Sequence, residues 1–534
     1  MSFKQIVYQI HTRLQSIYPV EKRSKALAFA FVAIGVAMDN LNVAGSMATM
    51  YSTLEHFHST TTTVSWVLSA YALTLGAFIM LGGKLTDILG PDVVFISSLF
   101  ITGLFALICA GIENQIIVLI VFRALQGITA SFTIPSGFAI AGNYFEAKSL
   151  GNALVVLMAA YTSVLGFGFV IGGAFSVSSI GYKGIYYLTF ALSVLISMIL
   201  YIIHVPIAKP QAHKDTKLKY LDFGGSALFV IGILLITLGL TEGGDSWKKP
   251  SAYIPLPVGV LVLVGAFVFE LVIIQNRKDR VDSRADAKGQ DSYLYKVHML
   301  IPREMMFLPN FFPFVICTLL AFIYFIMMVS GLTQYHQYVE GDSPLITGVK
   351  ILPLSIGLCL LAILNLETLF YRIGMKAVLI FSQVVAVFML LWMSRQRYDS
   401  LHGYWVYELV PLFLFGAAIN IYYSIYINAM LRRTPVHLQG VTSGFLQTIG
   451  QVGICIGNAL TATVLGEIEI ATTSDERERM QSKIDNIFYI TLACSAAATI
   501  TLFFISDQKS ADGAPSDESV EEVQASCDSK ELQV

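Results

Sequence analysis

The run 115-QIIVLIVFRALQGITASFTIPSG-137 sets one arginine, Arg123, in the middle of an apolar stretch long enough to cross a bilayer. A hydrocarbon core about 30 Å thick takes about 20 residues of helix. A guanidinium keeps its proton, so at that depth it requires a partner or a wet cavity. Working outward from this run, similar stretches recur until fourteen can be counted between residues 26 and 505. The whole chain of 534 residues is 55% hydrophobic and only 13% charged, which excludes an ordinary soluble domain. The first run, 26–50, is too long for a cleavable leader and thirteen others follow it. The reading is an all-α polytopic membrane protein with fourteen transmembrane helices.

Basic residues set the expected orientation. With both termini in the cytoplasm, 24 of the 34 Lys and Arg lie inside and nine outside, Arg123 being the remaining one. The net charge of −2 gives no sign of nucleic-acid binding. Cys109, Cys317, Cys359, Cys455 and Cys494 fall in apolar runs and Cys527 in the tail, where they read as small fillers rather than disulfides or metal ligands. Neither a phosphate-binding loop nor a nucleophile elbow is present, so the sequence reads as no enzyme, with no metal and no cofactor.

The apolar runs divide as six, two and six. Polar segments 208–221 and 276–303 bracket the seventh and eighth, which look inserted between equivalent halves. The expected division is a cytoplasmic N-terminus 1–25, a six-helix bundle 26–207, a linker with two additional helices 208–303, a second six-helix bundle 304–506 and an acidic disordered tail 507–534. Loop 83-GKLTDILGPD-92 has a counterpart in 369-LFYRIGMK-376, making Gly90 and Gly374 equivalent positions. Repeated halves around a central site are a recurrent transporter plan.

Several short patterns, in this order and spacing, resemble the major facilitator superfamily and within it the fourteen-spanner drug:proton antiporter branch. Helix 4 carries Arg123-Ala-Leu-Gln126-Gly127, helix 1 Met38-Asp39-Asn40-Leu41-Asn42, and helix 2 opens Ser65-Trp66-Val67-Leu68-Ser69-Ala70-Tyr71. Leu221-Asp222-Phe223-Gly224 begins the extra pair, and Ser343-Pro344-Leu345-Ile346-Thr347-Gly348 with Pro353 is similar to the start of helix 10. Two patterns depart from the family. The loop after helix 2 keeps Gly83, Asp87 and Gly90 but has Ile88 and Pro91-Asp92 where basic residues are usual. In helix 5, Gly168-Phe169-Val170-Ile171-Gly172-Gly173 has Phe169 where the antiporter motif has proline.

The resemblance implies a major facilitator fold, two six-helix bundles plus two extra helices, and export of drugs or toxic metabolites driven by protons. It associates the helix-4 arginine with proton transfer. Asp39 is the candidate proton carrier, since burial favours a protonated carboxyl group and a nearby cation the ionised form. Gly35, Asp39, Asn42 and Ser46 repeat at helical spacing on one stripe, and Arg123, Gln126, Gly127 and Ala130 on another. Asp39 and Arg123 are therefore read either as a coupled proton site or as a fixed pair joining two helices. Gly168, Gly172 and Gly173 form a small-residue seam, static or sliding; with Gly83, Asp87 and Gly90 they are the candidate gating positions. Asn42, Gln126, Tyr161, Tyr324, Asn420, Gln447 and Gln451 are the candidate substrate lining, with Ser443, Tyr423, Tyr426 and Asn458 nearby in sequence. Aromatic faces attract cations, which favours an amphipathic organic cation. Pro135 and Pro353 are candidate bends, and Glu270, Glu367 and Glu408 read as span-end charges without a transport role. Uptake or facilitated passage of a small solute (ammonium, borate, a siderophore) stands as the alternative, and a transporter-like nutrient sensor as the alternative of another class. The partners expected are protons, a small molecule and the lipid bilayer, for a monomer in the plasma membrane or an organellar one.

Overall fold

The computed structural model describes residues 19–59, 61–145, 147–207, 222–284, 303–306, 308, 310–364, 374–397, 403–434, 439–465 and 473–505. The tail, most of the N-terminus, much of both polar linkers, Glu367 and Cys527 lie outside the described residues. In chain order the main helices are α1 Lys25–Ala48, α2 Met50–Phe57, α3 Thr61–Leu89, α4 Pro91–Gly111, α5 Ile116–Ala130, α6 Thr133–Tyr144, α7 Ala147–Ser176 and α8 Lys183–Ile203. There follow α9 Phe223–Asp245, α10 Pro255–Val268, α11 Phe311–Gln334, α12 Pro344–Leu364, α13 Met375–Met393, α14 Val410–Arg433, α15 Gln439–Leu465 and α16 Ser474–Phe503. Among the described residues there are helices and turns but no strands, as an apolar solvent requires when each backbone group must bond within its own segment.

Among the described residues, twelve helices are long and apolar enough to cross a membrane, against the fourteen counted from the sequence. The runs 222–241 and 346–366 do form helices, but their apolar stretches are shorter, Gly224–Leu240 and Pro344–Cys359. Asp222 caps the first of these, accepting the Gly225 N–H at 2.8 Å, and Glu242 and Asp245 close its last turn. The second runs into residues outside the described set. One crossing, Ile116–Tyr144, is interrupted between α5 and α6 at Ser131 and Phe132. Pro135 lies just beyond and cannot donate to the preceding turn, whereas Pro353 sits within an unbroken α12.

Helices of the segment 25–203 pack on one another, most closely α1 on α7, α4 on α8 and α3 on α5. Helices of the segment 311–503 do likewise, α11 on α15 and α16, α12 and α13 on α14. The two segments meet along two seams, α7 against α12 and α3 against α15. Helix α9 touches both α3 and α15, so it bridges the second seam. Helix α10 packs chiefly on α9, and only 24% of its apolar window is buried. Helix α10 is therefore the more peripheral of the two. Small residues allow the α9–α10 approach: a methyl group on Gly259 would lie 2.7 Å from the Ile236 nitrogen.

Gly90 and Gly374 precede α4 and α13 with nearly the same backbone, φ 102 and ψ 138 against φ 99 and ψ 137. That region suits glycine alone. Gly127 serves a different purpose, close approach. A Cβ there would collide with the Tyr71 carbonyl oxygen and the Thr74 hydroxyl of α3. Gly127→Ala is expected to push α5 away from α3 and destabilise the fold by about 1–3 kcal/mol. A fall in the thermal unfolding midpoint of the detergent-purified protein would show it; an unchanged midpoint would contradict the crossing.

Candidate functional site

Helix α1 carries Asp39 into the interior, where its carboxylate accepts from two phenols. Tyr71 of α3 bonds Oδ1, and Tyr161 of α7 bonds Oδ2 at 3.2 Å. Asn40, the next residue, donates to the Tyr161 carbonyl at 2.6 Å and so fixes α1 against α7. Helix α5 brings Arg123 to the far side of Tyr71. Its guanidinium carbon lies 4.2 Å from the Tyr71 ring centroid and 5.5 Å from that of Tyr186. Nε donates to the Val67 carbonyl at 3.0 Å and one terminal nitrogen to Gln126 Oε1 at 2.8 Å, leaving the other without a hydrogen-bond partner.

Arg123 is 0% exposed, and the partners it finds are aromatic faces and two carbonyl-type acceptors. Asp39 and Arg123 form no direct ion pair: one phenol stands between them, hydrogen-bonded to the acid by its hydroxyl and stacked under the cation by its ring. Sequence reasoning read Tyr71 only as part of a helix-2 pattern and missed its role. Tyr186 carried no signal at all.

The candidate lining divides. Asn42, Tyr161, Gln447 and Gln451 are buried, and both amide atoms of Asn42 and Oε1 of Gln447 have no hydrogen-bond partner. Gln451 faces Gly76 across the α3–α15 seam, and the Tyr423 phenol comes near that of Tyr161. The others are turned to structural bonds. Gln126 serves Arg123 and the Thr102 carbonyl, because its place on α5 faces α4. Tyr324 donates to Gln383 of α13 at 3.0 Å, and Asn420 bonds the Leu358 carbonyl of α12. Tyr422, Tyr423 and Tyr426 cluster on α14, with Tyr422 and Tyr426 stacked at 5.7 Å. Asn458 is exposed, and the Ser443 side chain is outside the described set.

The glycine seam also divides. Gly168 and Gly172 face α1, where a methyl group on Gly172 would lie 2.6 Å from the Gly45 Cα. Gly173 faces α12 instead, 2.7 Å from the Leu345 Cα, so the glycines serve two interfaces rather than one. Gly83 is buried and Asp87 half-buried, with Lys84 one turn before it as the nearby cation. Other contacts gather at that end. Asp92 approaches His204 at 3.8 Å, Arg23 donates to the His204 carbonyl at 2.8 Å, and Tyr144 to the Val205 carbonyl at 2.9 Å.

A second charged cluster was missed. His336 stands between Glu340 and Glu408 at 2.7 Å from each, and Lys350 bonds Glu340 and Asp342 at 2.5 Å. Glu408 is 0% exposed and Glu270 is also buried, so neither reaches for the membrane surface as expected. Among the described residues, Cys109, Cys317, Cys359, Cys455 and Cys494 are free.

A bundle of membrane-crossing helices that encloses an acid, a phenol and a guanidinium at mid-depth has the build of a membrane transporter. The model of the Major Facilitator Superfamily matches residues 26–458, and the chain belongs to that superfamily. It is an integral multi-pass membrane protein. Over 326 residues it is 27% identical to the multidrug transporter protein MdtP of Bacillus subtilis, covering 60% of this chain and 54% of that one. Over 258 residues it is 28% identical to the low affinity ammonium transporter of Saccharomyces cerevisiae, covering 46% and 49%. The matches thus span about half the length of these relatives. Among solved structures the human organic anion transporter MFSD10 (TETRAN) superposes with a TM-score of 0.57 at 13% identity, over 90% of this chain and 100% of that one.

Proposed function

We propose that this protein is a proton-coupled secondary transporter of the fourteen-spanner drug:proton antiporter branch, exporting amphipathic organic molecules from the cell by alternating access. Two six-helix bundles, 26–207 and 304–506, rock against each other, and the segment 208–303 adds two spanning helices between them. Counting α9 and α12 as spans brings the total to fourteen. The chain acts as a monomer with both termini in the cytoplasm, in the plasma membrane. Asp39 takes up and releases the proton, and Arg123 biases that exchange through the Tyr71 ring. Asn42, Tyr161, Gln447 and Gln451 line the substrate path, and the α7 glycines, with the loop from Gly83 to Gly90, permit the rocking.

The observation that carries this reading is the buried Asp39–Tyr71–Arg123 array, because an acid held beside a caged cation responds to any change in hydration. The ammonium transporter relative and Phe169 in the antiporter motif favour the second reading, passage of a small cationic solute. Purified protein in liposomes separates the two. Under an imposed pH gradient, movement of an amphipathic organic cation such as ethidium, accompanied by counter-movement of protons, is the expected result. Movement of isotopically labelled ammonium alone would support the second reading. Flux of either that ignores the pH gradient would sink proton coupling.

A further inference from the structure

Three turns among the described residues widen from α- to π-helical spacing: Phe269–Ile274, Tyr335–Val339 and Trp405–Leu409. Such turns weaken the backbone ladder and concentrate at functional positions. Each carries a buried ionisable side chain, Glu270, His336 and Glu408 respectively. The second and third turns meet, His336 Nε2 lying 2.7 Å from Glu408 Oε2 while Nδ1 lies 2.7 Å from Glu340 Oε2.

The proton count of this arrangement is fixed by geometry. A neutral imidazole has one N–H and one lone pair, so it cannot donate to a carboxylate at both ends. Burial disfavours the ionised form of Glu340, but bonds from His336 and Lys350 hold its carboxyl down at about 2. Glu340 is therefore an anion, and the nitrogen facing it bears hydrogen. The contact between Nε2 and Glu408 then requires one proton more, as imidazolium beside carboxylate or imidazole beside carboxylic acid. Without it, a lone pair would face a carboxylate whose other oxygen already has no hydrogen-bond partner.

The surrounding groups leave that proton with the pair. Lys350 is engaged by Glu340 and Asp342, so the space among His336, Glu340 and Asp342 already holds the chain's own cation. Tyr335 lies in the same turn near Glu340 and Glu408, and the Tyr404 ring is 6.5 Å from that of His336. Helix α16, which also packs on this turn, brings Asp485, already paired with Arg397 at 2.9 Å. A cleft of about 630 Å³ opens alongside, lined by Glu340, Lys350, Tyr404, Trp405 and Leu409.

We propose that the His336–Glu408 pair is a second proton-binding site, exchanging with water through this cleft, and that release of its proton parts the adjoining ends of α11 and α14. The bonds made and broken are N–H or O–H, with water accepting the proton. The site goes beyond the transport reading above and makes no use of Asp39.

Trp405 supplies the readout, since it shares the turn with Glu408, lines the cleft and is 64% exposed. The emission of the full-length detergent-purified protein, minus that of Trp405→Phe, would be followed from about pH 4 to about pH 9, a range that brackets carboxyl and imidazole titration. A single pH-dependent step is expected in the wild type. Glu408→Gln should abolish it, because the amide bonds a neutral imidazole without the extra proton; His336→Gln provides the same test from the other partner. Asp39→Asn should leave the midpoint where it was. The proposal is overturned by a wild type without a step, by a step unmoved in both pair variants, or by its loss in Asp39→Asn. None of these outcomes bears on gradient-driven flux, so the transport reading stands or falls separately.

Discussion

Asp39→Asn is expected to abolish the acceleration of transport by a pH gradient while leaving exchange of labelled substrate between equal pools close to wild type. Asparagine has nearly the shape of aspartate, and its carbonyl still accepts from Tyr71, so the contacts of α1 with α3 and α7 survive. What it lacks is the group that changes protonation state. A positioned proton-transferring side chain contributes about 10²–10⁴-fold to a rate, and a loss toward the lower end is expected for the gradient-driven component alone. Liposomes measured with and without a gradient separate the two components. Wild-type gradient dependence in the variant would remove Asp39 from the mechanism, and loss of exchange as well would make it a structural or substrate contact.

How much of this could be read from the sequence depends on what each residue's neighbours are. Arg123 was legible because a guanidinium in an apolar run has so few tolerable surroundings that its burial and partnering follow directly. The equivalence of Gly90 and Gly374 was legible because a positive φ near 100° demands glycine, which leaves a mark in both halves. Tyr71 was not, because a phenol in an apolar helix packs equally well against lipid, core or cation; only the crossing of α3 and α5 at Gly127 selects the last. Glu408 was misread for a related reason. Sequence gives its distance from the end of the apolar run, but not the π turn it occupies or the contact with His336, 72 residues away in the chain. The lining residues fared unevenly because helical spacing identifies a stripe without saying which neighbour it meets. Thus Tyr324 and Asn420 belong to bonds within their own segment of the chain.

Arg123→Lys is expected to lower gradient-driven flux by roughly a thousandfold although the charge is retained. The guanidinium lies over the Tyr71 ring, with that of Tyr186 also near, and makes two hydrogen bonds, to Val67 and Gln126. A desolvated cation–π contact is worth about 2 kcal/mol and a hydrogen bond from a charged donor about 1.5–3 kcal/mol. An ammonium is a point charge on a flexible stem and cannot stack while bonding at both edges. Losing the stack and one of the two bonds removes about 3.5–5 kcal/mol, which corresponds to roughly a thousandfold. Tyr71→Phe dissects the same array differently: the ring under the cation stays, but the hydroxyl to Asp39 goes. It is expected to fold normally and to shift the pH dependence of transport, while Arg123→Lys lowers the rate at every pH. A purely structural arginine would give another pattern, a lower thermal midpoint for Arg123→Lys with per-molecule flux intact and no pH effect in Tyr71→Phe. That pattern would break the link between cation and acid, because the phenol is what joins them.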